Sequence, residues 1–456
     1  MKQKFTQFSL LAIGLLMGYF SVVAQSPTYS AVQVSDVGAS NSIGTSNSTK
    51  NIGVDRNGNI YVIFWGSLGV RVAKSTNRGQ SFLASVPVDN NITTGEADIE
   101  IADNGNIYVT WIRSSVAYFS KSTDGGTTFS TPTTLGSVSL SSLPGIRIES
   151  YGDNIYILPR TAIVMYRNTT QGDGSFTAVN TGIANRTFSD IFADQYSGDL
   201  YIVGDNPNIS IHKSTDNGST FGSISLNPSI SRYYSSYTAS ITYAGKYAFA
   251  GGGPTAGDVK IGYKINLTDG TSTAITLGDN KVSAGRSLLV DDFGNLVDGY
   301  SITSSSVGFR ISNNQGSTWG SQIEVATNAT GQNLFRNKKD LLAAYVSGGQ
   351  VYLSTYTDIL PIPCEPTISP STAQTVASGA SISFSGSSIA SSPSYTWSSI
   401  PNGFSSSDRN PTFIAPTVAS STDYILRLNT TEGNCSADAI VKVTVVPPLY
   451  ASHGEY

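Results

Sequence analysis

Arginine is the residue type in this sequence with the clearest capacity for specific chemistry, because its planar guanidinium pairs with a carboxylate through two parallel hydrogen bonds. Arg147, Arg186 and Arg286 lie before or within strand-like runs, and each could bind a carboxylate in this way. Histidine offers less, since His212 lies within a strand-like run and His453 lies near the chain end. The sequence predicts no histidine-based metal site, no Ser-His-Asp triad and no GxSxG nucleophile. We therefore assign no catalytic residue, no metal and no cofactor.

A short turn sequence recurs four times and places the strands around it. Its form is Ser-x-(Asp/Asn)-x-Gly-x-(Ser/Thr)-(Phe/Trp), and the copies begin at Ser75, Ser122, Ser214 and Ser312. An Asp or Asn side chain can bond nearby backbone N–H groups, and Gly takes a positive φ without a steric cost. A phosphate-binding or calcium-binding loop is disfavoured, because no helical pattern follows and the acids stand nearly alone. We assign structural roles in these turns to Asn77, Gly79, Asp124, Gly126, Asp216, Gly218, Asn314 and Gly316.

A second pattern gives the period of the chain. Runs such as "DRNGNIYVIFW" and "ADNGNIYVTWI" recur seven times, spaced by 45 to 49 residues. A repeat of roughly 40 to 50 residues made only of strands and turns is typical of a β-propeller with four-stranded blades. Blades are covered on both faces by their neighbours, which accounts for strands that are apolar throughout. The sequence thus predicts an all-β fold with a seven-bladed propeller, or a six-bladed one if a weak copy is an insertion.

The last repeat lacks a fourth strand. Its third strand, "QVYLSTYT", is followed by neither a turn copy nor a further strand-like run. The N-terminal run "YSAVQVS", which begins at Tyr29, resembles the fourth strand of the first repeat. We expect this N-terminal strand to complete the last blade, since closing the ring removes an open sheet edge.

The four turns resemble the Asp boxes of sialidase-like (BNR) repeat propellers, over residues 27–360. The resemblance implies that the turns join third to fourth strands, on the face away from the ligand-binding mouth. In the sialidases of this group, three arginines clamp a sugar carboxylate and a Tyr–Glu pair performs covalent chemistry. The resemblance offers Arg147, Arg186, Arg286, Tyr237 and Glu96 for these roles. The early Phe/Tyr-Arg-Ile-Pro segment is missing and sialidase domains have six blades, so the resemblance does not by itself imply an enzyme.

Connections from fourth to first strands and from second to third strands share one face of a propeller. The first set carries Lys50, Glu96, Asp98, Arg147, Arg186, Asp190, Tyr237 and Arg286. The second set carries Trp65, Trp111, Arg113, Arg160, Asp205 and Tyr300. The predicted ligand-binding mouth consists of Trp65, Trp111, Arg113, Arg147, Arg160, Arg186, Asp190, Tyr237, Arg286 and Tyr300.

The first 25 residues indicate export. Two lysines precede an apolar run that ends in small residues, the pattern of a secretory signal peptide in residues 1–25. No later stretch is long and apolar enough to span a membrane. The net charge is −4 and charged residues make up 13%, which argues against nucleic-acid binding. We expect a secreted monomer located outside the cell or at its surface.

A second unit follows the Pro-rich segment "DILPIPCEP". Residues 361–447 contain short alternating runs that predict a small β-sandwich similar to immunoglobulin-like or PKD-like modules, and 448–456 form a tail. Cys364 and Cys435 are the two cysteines, and in an exported chain they are expected to form a disulfide.

The function class follows less directly than the fold. We expect a non-catalytic protein that binds carbohydrate, or an exported or cell-surface protein, at the mouth, because aromatic faces stack on sugars and polar rims orient them. Two alternatives remain: a glycoside hydrolase of the sialidase-like group, and a structural protein of the cell surface.

Overall fold

The computed structural model describes the following parts of the chain: residues 27–38, 40–43, 50–91, 96–138, 145–159, 163–183, 188–194, 197–204, 208–227, 238–241, 247–252, 261–276, 288–290, 295–303, 305–360, 364–432 and 435–448. Within these ranges every regular element is a β-strand. The fold is therefore all-β, as the sequence predicts.

Four-stranded antiparallel sheets follow one another along the first part of the chain. Strand β1 (Tyr29–Gln33) precedes them. Sheet 1 contains β2 (Ile52–Val54), β3 (Ile60–Gly66), β4 (Gly69–Ser75) and β5 (Val86–Asp89). Sheet 2 contains β6 (Ala97–Ile101), β7 (Ile107–Arg113), β8 (Val116–Ser122) and β9 (Thr133–Ser137). Sheet 3 contains β10 (Ile146–Tyr151), β11 (Asn154–Pro159), β12 (Val164–Asn168) and β13 (Thr177–Asn180).

The same order of strands continues through the next sheets. Sheet 4 contains β14 (Phe188–Ala193), β15 (Leu200–Gly204), β16 (Ser210–Ser214) and β17 (Gly222–Ile224). Sheet 5 contains β18 (Thr238–Ile241), β19 (Tyr247–Gly252), β20 (Ile261–Asn266) and β21 (Ser272–Thr276). Sheet 6 contains β22 (Leu288–Val290), β23 (Leu296–Thr303), β24 (Ser306–Ser312) and β25 (Ile323–Thr327). Sheet 7 contains β26 (Ala329–Asn337), β27 (Asp340–Ser347) and β28 (Gln350–Tyr356), with β1 beside β28.

Sheet 7 is completed from the start of the chain. β1 pairs antiparallel with β28, with Val32 opposite Leu353 and Gln33 opposite Tyr352. The backbone N–H of Val34 continues the ladder by donating to the carbonyl of Val351 at 2.8 Å. The N-terminal strand therefore lies where the missing fourth strand of the last repeat predicts it.

The four-stranded sheets are arranged as in a propeller. The first strand of each sheet contacts the first strand of the next, and β26 contacts β2, so the series closes on itself. A cluster of buried apolar side chains fills each interface between neighbouring sheets. Burial on both faces explains why β3 is buried along nearly its whole length rather than at alternate residues. We call the end with the third-to-fourth strand turns the turn face and the opposite end the mouth face.

The C-terminal unit is also built of strands. Its strands are β29 (Pro366–Ser369), β30 (Gln374–Ala377), β31 (Ser381–Ser383), β32 (Ser385–Ser388), β33 (Ser394–Ile400), β34 (Ser405–Ser406), β35 (Thr412–Ile414), β36 (Thr422–Glu432) and β37 (Cys435–Val446). They form one five-stranded sheet and two strand pairs. Trp397 is fully buried in the apolar core between them.

Candidate functional site

The third-to-fourth strand turns are held by the side chain of their acid or amide. Asp124 accepts backbone N–H bonds from Thr127 and Thr128, each at 3.0 Å, and a hydroxyl bond from Thr128 at 2.6 Å. Ser122 donates its hydroxyl to Asp124 at 2.8 Å and accepts the N–H of Gly126 at 2.9 Å. These bonds hold the pKa of Asp124 down at about 2, with the bonds from Thr128 as the main cause. The carboxylate is thus engaged inside its own turn.

The amide copies of the turn keep the same geometry. Asn77 accepts the N–H of Ser81 at 3.0 Å and returns its own amide N–H to the Ser81 hydroxyl at 2.9 Å. Asn314 makes the equivalent pair of bonds with Thr318. An amide replaces the carboxylate because the turn needs one acceptor for the backbone and one polar atom for the hydroxyl. Asp216 repeats the arrangement of Asp124, and its pKa is also lowered, chiefly by the hydroxyl of Thr220.

The turn glycines pack on the preceding sheet. Gly79, Gly126, Gly218 and Gly316 all have positive φ. A Cβ added at Gly218 would lie 2.7 Å from the Met165 side chain of sheet 3, and one at Gly126 would lie 3.0 Å from the Tyr61 ring of sheet 1. Glycine is required here both by its backbone angle and by the close approach of the neighbouring sheet.

Basic side chains link consecutive sheets at the turn face, a feature that the sequence reasoning missed. The Lys74 ammonium binds the carbonyl of Gly125 in the next turn at 2.9 Å. Arg167 binds the Asn217 carbonyl and the Ser219 hydroxyl of the turn after it, each at 2.8 Å. Each basic residue comes directly before the residue that opens the turn, so the recurring Lys-Ser and Arg-Asn pairs were the available signal.

Charged side chains gather where the first strands of sheets 1 to 4 meet. We call this group the ring-centre cluster: Lys50, Glu96, Asp98, Glu100, Arg147, Glu149 and Asp190. The Lys50 ammonium lies 2.9 Å from a Glu100 oxygen and 2.7 Å from a Glu149 oxygen. The Lys50 side chain keeps 25% of its surface exposed, and its two partners are more deeply buried. Lys50 therefore joins sheets 2 and 3 to the start of sheet 1.

The Asp98 carboxyl connects sheet 2 to the segments on both sides of it. It is fully buried, and it accepts the backbone N–H of Lys50 on one side and that of Ile148 on the other, the second at 2.9 Å. Arg147 is also buried, and its guanidinium lies 3.4 Å from a Glu96 oxygen. Of the residues predicted for the first set of mouth connections, Lys50, Glu96, Asp98, Arg147 and Asp190 are thus brought together.

Burial dominates the protonation of these carboxyls. It raises the pKa of Asp98 to about 8, although Arg147 and Lys50 oppose the rise. It raises the pKa of Asp190 to about 7 against the same two cations. Burial also raises the pKa of Glu149, and the Glu100 charge adds to that rise. Burial alone would lower the pKa of Lys50, but Glu100, Glu149 and Asp98 together hold it well above its ordinary value.

The predicted aromatic contacts of the mouth require correction. Trp111 is fully buried, its ring stacks on Tyr118 at 5.6 Å, and its indole N–H donates to Asp89 at 3.0 Å. Arg113 lies 2.5 Å from the same Asp89 carboxylate and 4.2 Å from the Tyr118 ring centre. Trp65 is also buried. Trp111 and Arg113 fasten the second-to-third strand end of sheet 2 to β5, and because both tryptophans are buried we do not retain them for ligand stacking.

Other predicted residues cannot be placed in the same way. Arg160, Arg186, Asp205, Tyr237 and Arg286 lie outside the described residues. Tyr300 lies in β23, and only its place in the strand is described, not its side chain. The predicted three-arginine clamp therefore has one placed member, Arg147, and it stays a prediction.

Three acids of the site were absent from the predicted set. Glu100 and Glu149 alternate with Asp98 and Arg147 along "ADIEI" and "IRIES", and Asp89 closes the fourth strand of sheet 1. For Glu100 and Glu149 the available signal was a charged residue at every second position of an otherwise apolar first strand. That pattern does not indicate which charged side chain on one strand pairs with which side chain on a strand about 50 residues away.

The described ranges contain neither a metal-binding cluster nor a membrane-spanning helix. There, no group of three or more His, Cys, Asp or Glu side chains is arranged to hold a metal ion. No helix in the same ranges has the length and apolar character needed to cross a bilayer. Cys364 is buried beside Ala437, two residues after Cys435, and the disulfide remains a prediction.

No protein-family profile and no curated protein matches this sequence. Among solved structures, a protein of unknown function from Dyadobacter fermentans is similar at 14% identity and a TM-score of 0.42, covering 72% of this chain and 97% of its own. YCF48 from Cyanidioschyzon merolae is similar at 13% identity and a TM-score of 0.44, covering 69% and 97%. The α-L-arabinanase of Penicillium chrysogenum, solved with arabinobiose, is similar at 8% identity and a TM-score of 0.40, covering 72% and 98%.

Proposed function

We propose that this chain is an exported, monomeric, non-catalytic binding protein whose mouth face binds a glycan or an exported or cell-surface protein. In this proposal the ring is a seven-bladed propeller closed by its N-terminal strand, and its third-to-fourth strand turns are sialidase-like Asp boxes. The C-terminal unit is an immunoglobulin-like or PKD-like sandwich, held by a Cys364–Cys435 disulfide, that spaces the ring from its surroundings.

The position of the chain ends is the observation that carries the proposal. β1 starts opposite Thr355 and β28 ends at Tyr356, so both strands meet at the turn face. The N–H of Leu360 then binds the Lys339 carbonyl at 3.0 Å, and the Lys339 ammonium pairs with Glu365. The connection to the C-terminal unit is therefore fastened at the turn face, away from the mouth face.

Two long connections lie on the mouth face: β17 ends at Ile224 and β18 begins at Thr238, while β21 ends at Thr276 and β22 begins at Leu288. On the turn face, the third-to-fourth strand connections of sheets 1, 2 and 6 are nearly as long, but their repeated turns are bonded within themselves. Long connections carried by a rigid scaffold are the usual carriers of binding residues.

Hydrolysis is the second candidate, and the raised pKa of Asp98 and the nearby glutamates are the observation that favours it. Retaining glycosidases hold two carboxyls roughly 5 to 5.5 Å apart with the sugar carbon between them. The Lys50 ammonium lies 2.9 Å from a Glu100 oxygen and 2.7 Å from a Glu149 oxygen, so the cation is bound to both members of this pair. The space that the reacting sugar would need is occupied, so the geometry supports binding over hydrolysis.

A matched pair of surface changes tests the binding face. Leu68 and Ile163 are 47% and 45% exposed at second-to-third strand connections of the mouth face, and Leu83 is 57% exposed at the turn face. Immobilised glycans and a panel of purified exported proteins would be probed with the wild type, the Leu68→Ser/Ile163→Ser double variant and Leu83→Ser. We expect the double variant to lose binding at least tenfold and Leu83→Ser to retain it.

Two results would overturn the proposal. Equal loss in both variants would remove the mouth face as the binding surface. Turnover of fluorogenic glycosides, including sialosides, by the wild type and its loss in Glu100→Gln would establish the hydrolase instead.

A further inference from the structure

Side chains at the ring centre join four consecutive sheets. Asp98 of sheet 2 accepts N–H groups from Lys50, at the start of sheet 1, and from Ile148 of sheet 3. The Ser150 hydroxyl of sheet 3 donates to Glu100 of sheet 2 at 3.0 Å. These bonds run between the first strands, so they fix how closely neighbouring sheets approach at the ring centre.

The link extends to sheet 4. The Glu149 carboxylate accepts the backbone N–H of Ala193 in β14 while it also pairs with Lys50. Asp190 of the same strand interacts electrostatically with Arg147, Lys50 and Glu149. Sheets 1 to 4 therefore share one electrostatic network.

The following sheets are built differently at the equivalent positions. β18 reads TASI and β22 reads LLV, so neither first strand carries a charged residue. Leu334 and Phe335 of β26 pack in apolar clusters against sheets 6 and 1. Apolar contacts do not change with protonation, and the buried acid of sheet 6, Asp298, lies on the second strand opposite Arg310 rather than on a first strand. The two parts of the ring should therefore respond differently to pH.

The network has more acids than cations among its described members. Glu96, Asp98 and Glu100 come from sheet 2, Glu149 from sheet 3 and Asp190 from sheet 4. Lys50 and Arg147 are the cations that face them. Each further ionisation adds a negative charge to a region where little water screens it, so like charges repel more strongly there than at the surface.

We propose that the ring-centre cluster makes sheets 1 to 4 a pH-responsive part of the ring, which is tightly closed at mildly acidic pH and loosens as the pH rises through neutrality. Sheets 5 to 7 keep the same packing over that range.

The direction of the pH response follows from the protonation equilibria. The folded state holds protons on Asp98 and Asp190 up to pKa values of about 8 and about 7, whereas the unfolded chain releases them near pH 4. The stability that these protons give the folded state is fully present below about pH 4. It is lost as the pH rises through the folded pKa values of about 7 and about 8.

Hydrogen exchange followed by mass spectrometry tests the proposal on the full chain, at pH 5 and pH 8, with times corrected for the intrinsic exchange rate. We expect peptides covering β6, β10 and β14 to lose protection by roughly tenfold or more, the effect of about one unit of pKa difference. Peptides covering β24, β27 and β28 should change less than twofold.

Variants separate the cluster from a general effect of pH. Glu149→Gln removes one ionisation and should reduce the difference between the two pH values in sheets 2 to 4, whereas Glu324→Gln, at an exposed position of β25, should leave it unchanged. Asp190→Asn serves if Glu149→Gln does not fold. A uniform response of all sheets, or an unaltered response in both cluster variants, would overturn the proposal. Because no ligand is involved, the result is independent of the proposed binding function.

Discussion

Asp124 at the turn face and Asp98 at the ring centre carry the same side chain but shift in opposite directions. The pKa of Asp124 is lowered to about 2 because hydroxyl and backbone donors from its own turn surround an exposed carboxylate. The pKa of Asp98 is raised to about 8 because burial outweighs two cations and a backbone donor. A turn supplies all its donors within four residues, whereas the ring-centre cluster collects its members from sheets 1 to 4. The first arrangement is local and complete, and the second depends on how the whole ring assembles.

The largest expected effect in this comparison comes from removing the ammonium at the ring centre. Lys50→Met leaves Glu100 and Glu149 facing each other without their shared cation. Breaking a largely buried pair by removing one partner costs about 3 kcal/mol or more. Chemical denaturation at pH 7 should show that loss of unfolding free energy.

The control is an ion pair that joins sheets 1 and 2 at the surface. Arg56 lies 3.1 Å from Asp103, and both side chains are more than half exposed. Arg56→Met should cost less than about 1 kcal/mol. Equal costs for the two variants would show that the ring-centre cluster behaves as an ordinary surface network.

The next largest effect is the stability cost of replacing turn glycines by alanine, which distinguishes close packing from backbone strain. Gly218 has a φ of 75°, and an added Cβ would lie 2.7 Å from Met165 and 3.0 Å from Leu200. Gly105 has a φ of 87° with nothing within 4 Å of an added Cβ. Left-handed backbone alone costs about 1 kcal/mol for a residue with a side chain. Gly105→Ala should lose that amount, and Gly218→Ala should lose about 2 to 3 kcal/mol because overpacking adds to it.

Thermal unfolding of the two alanine variants measures the difference. Similar losses would mean that the turn of sheet 4 can move away from sheet 3 without cost. A larger loss in Gly218→Ala would confirm that the turns serve the packing between sheets as well as the local chain reversal.

The same contrast explains what the sequence could predict. The turn copies, their spacing and the pairing of β1 were predictable because each is signalled by a short pattern or by a missing repeat element. The gathering of Lys50, Glu96, Asp98, Arg147 and Asp190 at one end of the first strands followed from the order of strands. Their individual partners did not, since Lys50 pairs with Glu100 and Glu149 across two other sheets. The burial of Trp111 depended on Asp89, a residue of the preceding sheet that no local pattern connects to it.

The smallest expected effect tests whether the turn acid acts only as a local acceptor. Asn already holds the equivalent position at Asn77 and Asn314, where its amide donates to a hydroxyl. Asp124→Asn should therefore change the unfolding free energy by less than about 0.5 kcal/mol at pH 7, whereas Asp124→Ala should cost about 1 kcal/mol by leaving turn N–H groups without an acceptor.

The lowered pKa of Asp124 adds the pH dependence of stability as a second readout. Because Asp124 is exposed and screened by solvent, its charge adds only the small difference given above. That difference is present above the unfolded pKa near 4 and should disappear as the pH falls towards about 2. Denaturation at pH 7 and pH 3 measures both differences, and a large loss in Asp124→Asn at pH 7 would mean that the negative charge itself acts beyond the turn.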